Sequence, residues 1–262
     1  MELLILLSMG ALAGTLAGLL GIGGGVIIVP VLAMVFQHQG VAIDVLMHVS
    51  IGTSLATIVV TSLSSIRAHQ KRGAIDWSVF RRITPGIIVG GFLGSVLADA
   101  IPGEELRVLF AIFMFLVATQ MMIAGTPAPH RKLPPWPGML TAGVVIGAVA
   151  SLMGVGGGAM SVPFMTWCNV HIRQAVATSA AIGFPIAVAG AAGFMITGWG
   201  NKLLPPWSAG YINLPAFTGI VVASILFAPL GAKLAHTIPP TLLKRIFAVL
   251  LYILGTRMLL AG

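Results

Sequence analysis

Gly21-Ile22-Gly23-Gly24-Gly25-Val26-Ile27-Ile28-Val29-Pro30 recurs in the second half of the chain as Gly154-Val155-Gly156-Gly157-Gly158-Ala159-Met160-Ser161-Val162-Pro163. In each copy a glycine cluster breaks a long apolar run and leaves a segment, 26–36 or 159–167, too short to cross a bilayer alone. A spanning helix needs about 20 apolar residues. Backbone that is not helical survives at membrane depth only when buried in protein or lining a cavity, since an unsatisfied amide costs several kcal/mol in lipid. Two matching interruptions therefore predict a built feature, repeated.

The composition supplies the setting. Of 262 residues, 58% are hydrophobic and 8% charged, against roughly 25% charged in soluble domains. Too few charges remain to cover a water-soluble surface, so the expected fold class is an all-α polytopic membrane protein. Apolar stretches fall at 3–20, 26–36, 49–66, 83–98, 106–124, 139–153, 159–167, 175–196, 212–234 and 242–260. The first has only Glu2 beside it and no basic flank, which argues against a cleaved signal peptide. One cysteine, Cys168, excludes an internal disulfide and a thiolate metal cluster.

The halves match beyond the glycines. Thr53-Ser54 recurs as Thr178-Ser179, and Gly73-Ala74-Ile75-Asp76 recurs as Gly210-Tyr211-Ile212-Asn213. Gly94, Ile101-Pro102, Phe110 and Met121 meet Gly231, Ile238-Pro239, Phe247 and Met258 in the same order. The pattern predicts a duplication: residues 1–124 form a first transmembrane repeat, 125–138 a cytoplasmic connector, and 139–262 a second repeat. The connector carries Pro127, Pro129, Pro134, Pro135 and Pro137 with His130, Arg131 and Lys132.

The net charge of +8 resides in short loops, where Lys and Arg set orientation, rather than in a stripe suited to nucleic acid. Arg67, Lys71, Arg72, Arg81 and Arg82 mark one loop as cytoplasmic, and the acidic turn 99–105 falls outside. Two parses follow. If each glycine-broken pair is a re-entrant hairpin, the repeats are inverted and Lys233, Lys244 and Arg245 are cytoplasmic. If each pair crosses twice, the repeats are parallel and those cations face outward. The charge rule favours inversion.

The candidate site grows from the same motifs. A helix that starts inside the membrane presents free N–H groups and a positive dipole end. Two such starts brought together would form a midplane anion site of Gly23, Gly24, Gly25, Gly156, Gly157 and Gly158. Thr53, Ser54, Thr178 and Ser179 would add neutral donors, although hydroxyls in apolar helices also bond back to their own helix. Five residues before each Thr stand His48 and Arg173, read as groups that attract an anion; snorkelling at the interface is the plainer account of Arg173. Glycine clusters can also serve only close helix packing, so a membrane scaffold or assembly protein is the alternative.

Other chemistries are disfavoured. Glu2, Asp44, Asp76, Asp99, Glu104 and Glu105 sit at predicted helix ends or loops, leaving no intramembrane carboxylate for a cation relay. The histidines are scattered, and no metal site, catalytic constellation or cofactor is expected. The dinucleotide pattern fails because Val26 stands where its last glycine belongs. The expected partners are a small anionic substrate and the lipid bilayer, without nucleic acid; self-association is left open.

The doubled glycine-proline motif, the Thr-Ser pairs, the stretch Arg67 to Trp77 and Gly210-Tyr211-Ile212-Asn213-Leu214-Pro215 resemble the sulfite exporter TauE/SafE family of membrane permeases. The resemblance extends from Gly14 to Met258. Val49-Ser50-Ile51-Gly52 departs from the usual Ala-Val-Gly run before the first Thr. The resemblance implies an inner-membrane, multi-pass transporter, of exporter type, for small sulfur-containing anions such as sulfite or organosulfonates, moved by alternating access around the midplane site.

Overall fold

The computed structural model describes residues 25–123, 132–235 and 240–260. Among these residues the chain forms nine helices: α1 (Gly25–His38), α2 (Ile43–Lys71), α3 (Trp77–Asp99), α4 (Gly103–Ile123), α5 (Trp136–Leu152), α6 (Gly158–Trp167), α7 (Ile172–Thr197), α8 (Leu214–Ala235) and α9 (Pro240–Leu260). A short hairpin, β1 (Ser208–Ala209) and β2 (Ile212–Asn213), precedes α8. The all-α polytopic expectation holds. Helices α2, α3, α4 and α7 are long and apolar enough to cross a membrane. Outward side chains such as Leu109, Ile112 and Leu116 on α4, and Val222, Ile225 and Leu226 on α8, are apolar and exposed. Such surfaces are stable against lipid, not water.

Helices α3 and α5 pack backbone to backbone. A Cβ at Gly86, Gly90 or Gly94 would strike the carbonyls of Leu140, Val144 and Ala148 in turn, and one at Gly143 or Gly147 would lie 2.5 Å from those of Ile83 and Ile87. The partners advance together, so the two helices are parallel. Gly91 against Ala189 and Gly193 against Ser95 make α3 and α7 parallel as well. Helices α5 and α7 thus point the same way, and α6 between them must return. Its start at Gly157 touches Gly183, near the middle of α7. The chain enters with α5, turns at mid-depth, and leaves through α6 at the end where it entered.

That is the direction a re-entrant second hairpin requires. In the first half, α1 starts beside Ile58, midway along α2; the segment before Gly25 lies outside the described residues. Helix α2 runs antiparallel to α7, with Gly52 against Phe194 and Leu55 against Gly190. Helix α9 is antiparallel to α4, since Thr119 meets Tyr252 and Phe115 meets Gly255. The start of α9, which carries Lys244 and Arg245, therefore shares an end with Arg67, Lys71 and Arg72. Asp44, Asp99, Glu104 and Glu105 mark the opposite, acidic end.

Candidate functional site

The two glycine clusters meet. A Cβ on Gly25 would lie 2.5 Å from the carbonyl oxygen of Gly154 and 2.9 Å from Cα of Val155. Gly154 has φ +65°, a left-handed backbone that a side chain would strain, and it packs against Ile51 of α2. Residues 151–158 are all buried. Gly23 and Gly24, the remaining first-half candidates, lie outside the described residues.

The turn ends in a run of amides that helix α6 itself cannot satisfy. Helix α6 has Gly157 at its N-cap with no side-chain cap, and its first intrahelical bond is from Ser161 N to Gly157 O, 2.8 Å. The N–H groups of Gly156, Gly157, Gly158, Ala159 and Met160 meet no acceptor among the described residues. The first N–H groups of a helix have no intrahelical acceptor and are open to one from outside it. Ser161, fully buried, adds an unpartnered hydroxyl one turn into α6. Sequence reading passed over Ser161, because Ile28 stands at its place in the first copy.

The Thr-Ser pairs flank the turn. Ser54 Oγ donates to Gly154 O at 2.9 Å, tying α2 to the opposite cluster. Ser179 Oγ donates to Val176 O within α7, as the local-bonding reading expects, while its carbonyl lies 2.8 Å from a Cβ on Gly157. The threonines do something else. Thr53 Oγ1 accepts from Asn213 N at 3.0 Å, and Thr178 Oγ1 accepts from Asp76 N at 2.9 Å.

Each threonine thus holds a loop of the other half. Asp76 in turn caps α3 by accepting from Ser78 N and Val79 N, and Asn213 Oδ1 accepts from Ala216 N in the first turn of α8. An Asx side chain at this position satisfies orphan helix amides. The Gly73–Asp76 and Gly210–Asn213 motifs are the counterparts of one another in sequence, and the bonds cross reciprocally. Nothing local in the sequence announces that crossing.

The two cation candidates separate. Arg173, in the first turn of α7, is exposed, as snorkelling predicts. His48 is buried, with 3% exposure. Its Nε2 lies 3.0 Å from Ala98 O and 3.2 Å from Ile101 O, at the end of α3. Its ring stacks on Tyr211 at a centroid distance of 5.0 Å. The Tyr211 hydroxyl donates to Asp99 Oδ1 at 2.8 Å. Burial, then that hydrogen bond, pushes the Tyr211 phenol up to about 12, so it stays a donor at neutral pH. No group of histidine, cysteine and carboxylate side chains able to hold a metal occurs among the described residues.

The sulfite exporter TauE/SafE family matches residues 6–258. The chain belongs to this family. It is 37% identical over 260 residues to a probable membrane transporter protein of Haemophilus influenzae, covering 98% of both chains. Probable membrane transporters of Methanocaldococcus jannaschii (28% identical, 98% of this chain and 95% of that one) and Bacillus subtilis (YunE, 27% identical, 100% and 99%) align over nearly their whole lengths. No solved structure matches the chain. This TauE/SafE protein is a multi-pass membrane transporter of a small molecule.

Proposed function

We propose that the protein moves a small sulfur-containing oxyanion, such as sulfite or an organosulfonate, across the inner membrane by alternating access between two inverted repeats. The observation that carries the reading is the helix start at the mid-depth turn, where the Gly156–Met160 amides meet no acceptor among the described residues and Gly25 of the other half packs on Gly154 and Val155. Amides at a helix start favour an anion through both hydrogen bonding and the dipole, each end amounting to about half a positive charge. Two ends supply what the buried spans lack, since no Lys or Arg is buried among the described residues. Ser161, Thr53, Ser54, Thr178 and Ser179 line or brace the same depth.

The packing alternative is met by other glycines. Gly86-xxx-Gly90-xxx-Gly94 and Gly143-xxx-Gly147 take the close contact of α3 with α5, which is what small residues four apart do in membranes. Gly156–Gly158 instead lead from the turn at Gly154 into the start of α6.

The test is counterflow of 35S-labelled sulfite in proteoliposomes, with a thermal-stabilisation panel of sulfite, thiosulfate, methanesulfonate and acetate on the purified chain. Saturable sulfite exchange, competed by methanesulfonate and matched by stabilisation with the same anions, is expected. Absence of both exchange and stabilisation by every sulfur anion overturns the substrate class.

A further inference from the structure

His48 is the only buried His, Lys, Arg, Asp or Glu among the described residues. Both oxygens within reach of its Nε2 are backbone carbonyls, which only accept, so Nε2 carries a hydrogen. In the neutral ring the lone pair is then on Nδ1. That nitrogen is buried and has no hydrogen-bond partner. An ionisable group placed within a spanning helix in this way is a functional candidate by default.

We propose that Nδ1 of His48 is a proton-binding site that couples anion transport to protons; the coupling half of this rests on the anion reading above. Two features make room for the charged ring. Ala98 O, in the last turn of α3 at the negative end of its dipole, and Ile101 O just beyond it point at Nε2–H, and the ring-stacked Tyr211 carries Asp99 on its hydroxyl. A third source of balance is the bound anion: His48 lies five residues before Thr53 on α2, about 7.5 Å along the axis. Proton and anion each make the other's burial less costly, so their binding is linked.

The surroundings are consistent with a site loaded from the acidic end. Tyr211 from the hairpin faces the ring, and its hydroxyl holds Asp99 at the end of α3. Asp44 precedes it on α2; Glu104 and Glu105 occupy the first turn of α4, with Arg107 of the next turn paired to Glu104. His38 ends α1, Lys202 lies in the loop before the hairpin and Arg257 in the last turn of α9. None of these reaches Nδ1. At the opposite end the equivalent residue is exposed Arg173, and the counterpart of Tyr211 is Ala74.

The probe is methanesulfonate, which is fully ionised and carries no proton of its own. In proteoliposomes of the full chain, an inward proton gradient should drive methanesulfonate accumulation, and an internal pH dye should report protons entering only when the anion is present. His48→Gln keeps an N–H donor for the two carbonyls and removes the titratable nitrogen. It should lose roughly 10-fold or more of the gradient-driven accumulation, and the proton entry that accompanies the anion. Accumulation by His48→Gln equal to the parent overturns the proposal.

A second measurement is independent of transport. In protein labelled with 15N-histidine, the resonance missing from His48→Gln should report the Nε2–H tautomer at alkaline pH. It should show reversible protonation of Nδ1 on acidification, and should shift when methanesulfonate is added. A His48 that does not titrate overturns the proton site whatever is transported. Titration without any methanesulfonate binding or exchange overturns the coupling and removes that anion from the substrate class, leaving the proton site standing.

Discussion

The two halves place the same frame at opposite ends of the molecule and furnish it differently. At the acidic end Thr53 holds the amide of Asn213, with buried His48 clamped to the carbonyls of Ala98 and Ile101 and stacked on Tyr211. At the basic end Thr178 holds the amide of Asp76, but the residue matching His48 is exposed Arg173 and the one matching Tyr211 is Ala74. The threonine-to-amide latch and the Asx cap are common to both, so they belong to the scaffold. The imidazole, the aromatic and Asp99 occur once, so they belong to something the two ends do not share.

That contrast gives graded expectations. The largest effect belongs to His48→Leu set against Arg173→Leu. The first strands the Ile101 carbonyl, while Ala98 O keeps the amide of Ile101, and removes a ring stack; it should cost about 2–4 kcal/mol, combining an unmet buried polar group with lost aromatic packing. The second should stay within about 0.5 kcal/mol, as surface changes do. Unfolding in detergent measures both; equal losses would mean that the two ends are not differently built.

Next come Thr53→Val and Thr178→Val. Each leaves a loop amide without its acceptor, at about 1–3 kcal/mol. Thr53→Val should fall higher in that range, because Asn213 is 6% exposed whereas Asp76 is half-buried. The reverse order would show that the latch at the basic end is the tighter one.

The smallest effect is expected for Asp76→Asn, within about 0.5 kcal/mol, since Asn and Asp cap helices about equally well. Asn213→Asp should cost more, because it charges a buried site and removes the amide group that reaches Pro206 O and Ser208 Oγ. The same denaturation series resolves the pair.

The membrane-spanning helices were legible in the sequence because lipid demands long apolar runs, and the broken segments because Gly21–Gly25 and Gly154–Gly158 interrupt them. The return of α6 was legible only as one of two parses; it is fixed by the parallel packing of α3 with α5 and α7, which depends on contacts such as Gly90 with Val144. Gly86, Gly90, Gly94, Gly143 and Gly147 carry a small-residue spacing that was open to reading and went unread. The roles of Thr53 and Thr178 were not legible, because their partners are loop amides of the other half, far along the chain. His48 was singled out by its place before Thr53, yet its burial depends on how α3 ends against α2, which periodicity does not encode.

The mid-depth anion site is best tested by locating the anion itself. Selenite is the heavier counterpart of sulfite and scatters anomalously, so a selenite-soaked crystal of the full chain can place it directly. The expected result is a single strong anomalous peak within hydrogen-bond reach of the Gly156–Met160 amides and Ser161 Oγ, beside Gly25. A peak elsewhere, such as between Arg107 and Arg257, or no peak at a selenite concentration that blocks sulfite exchange, would contradict the assignment of the glycine turn as the binding site.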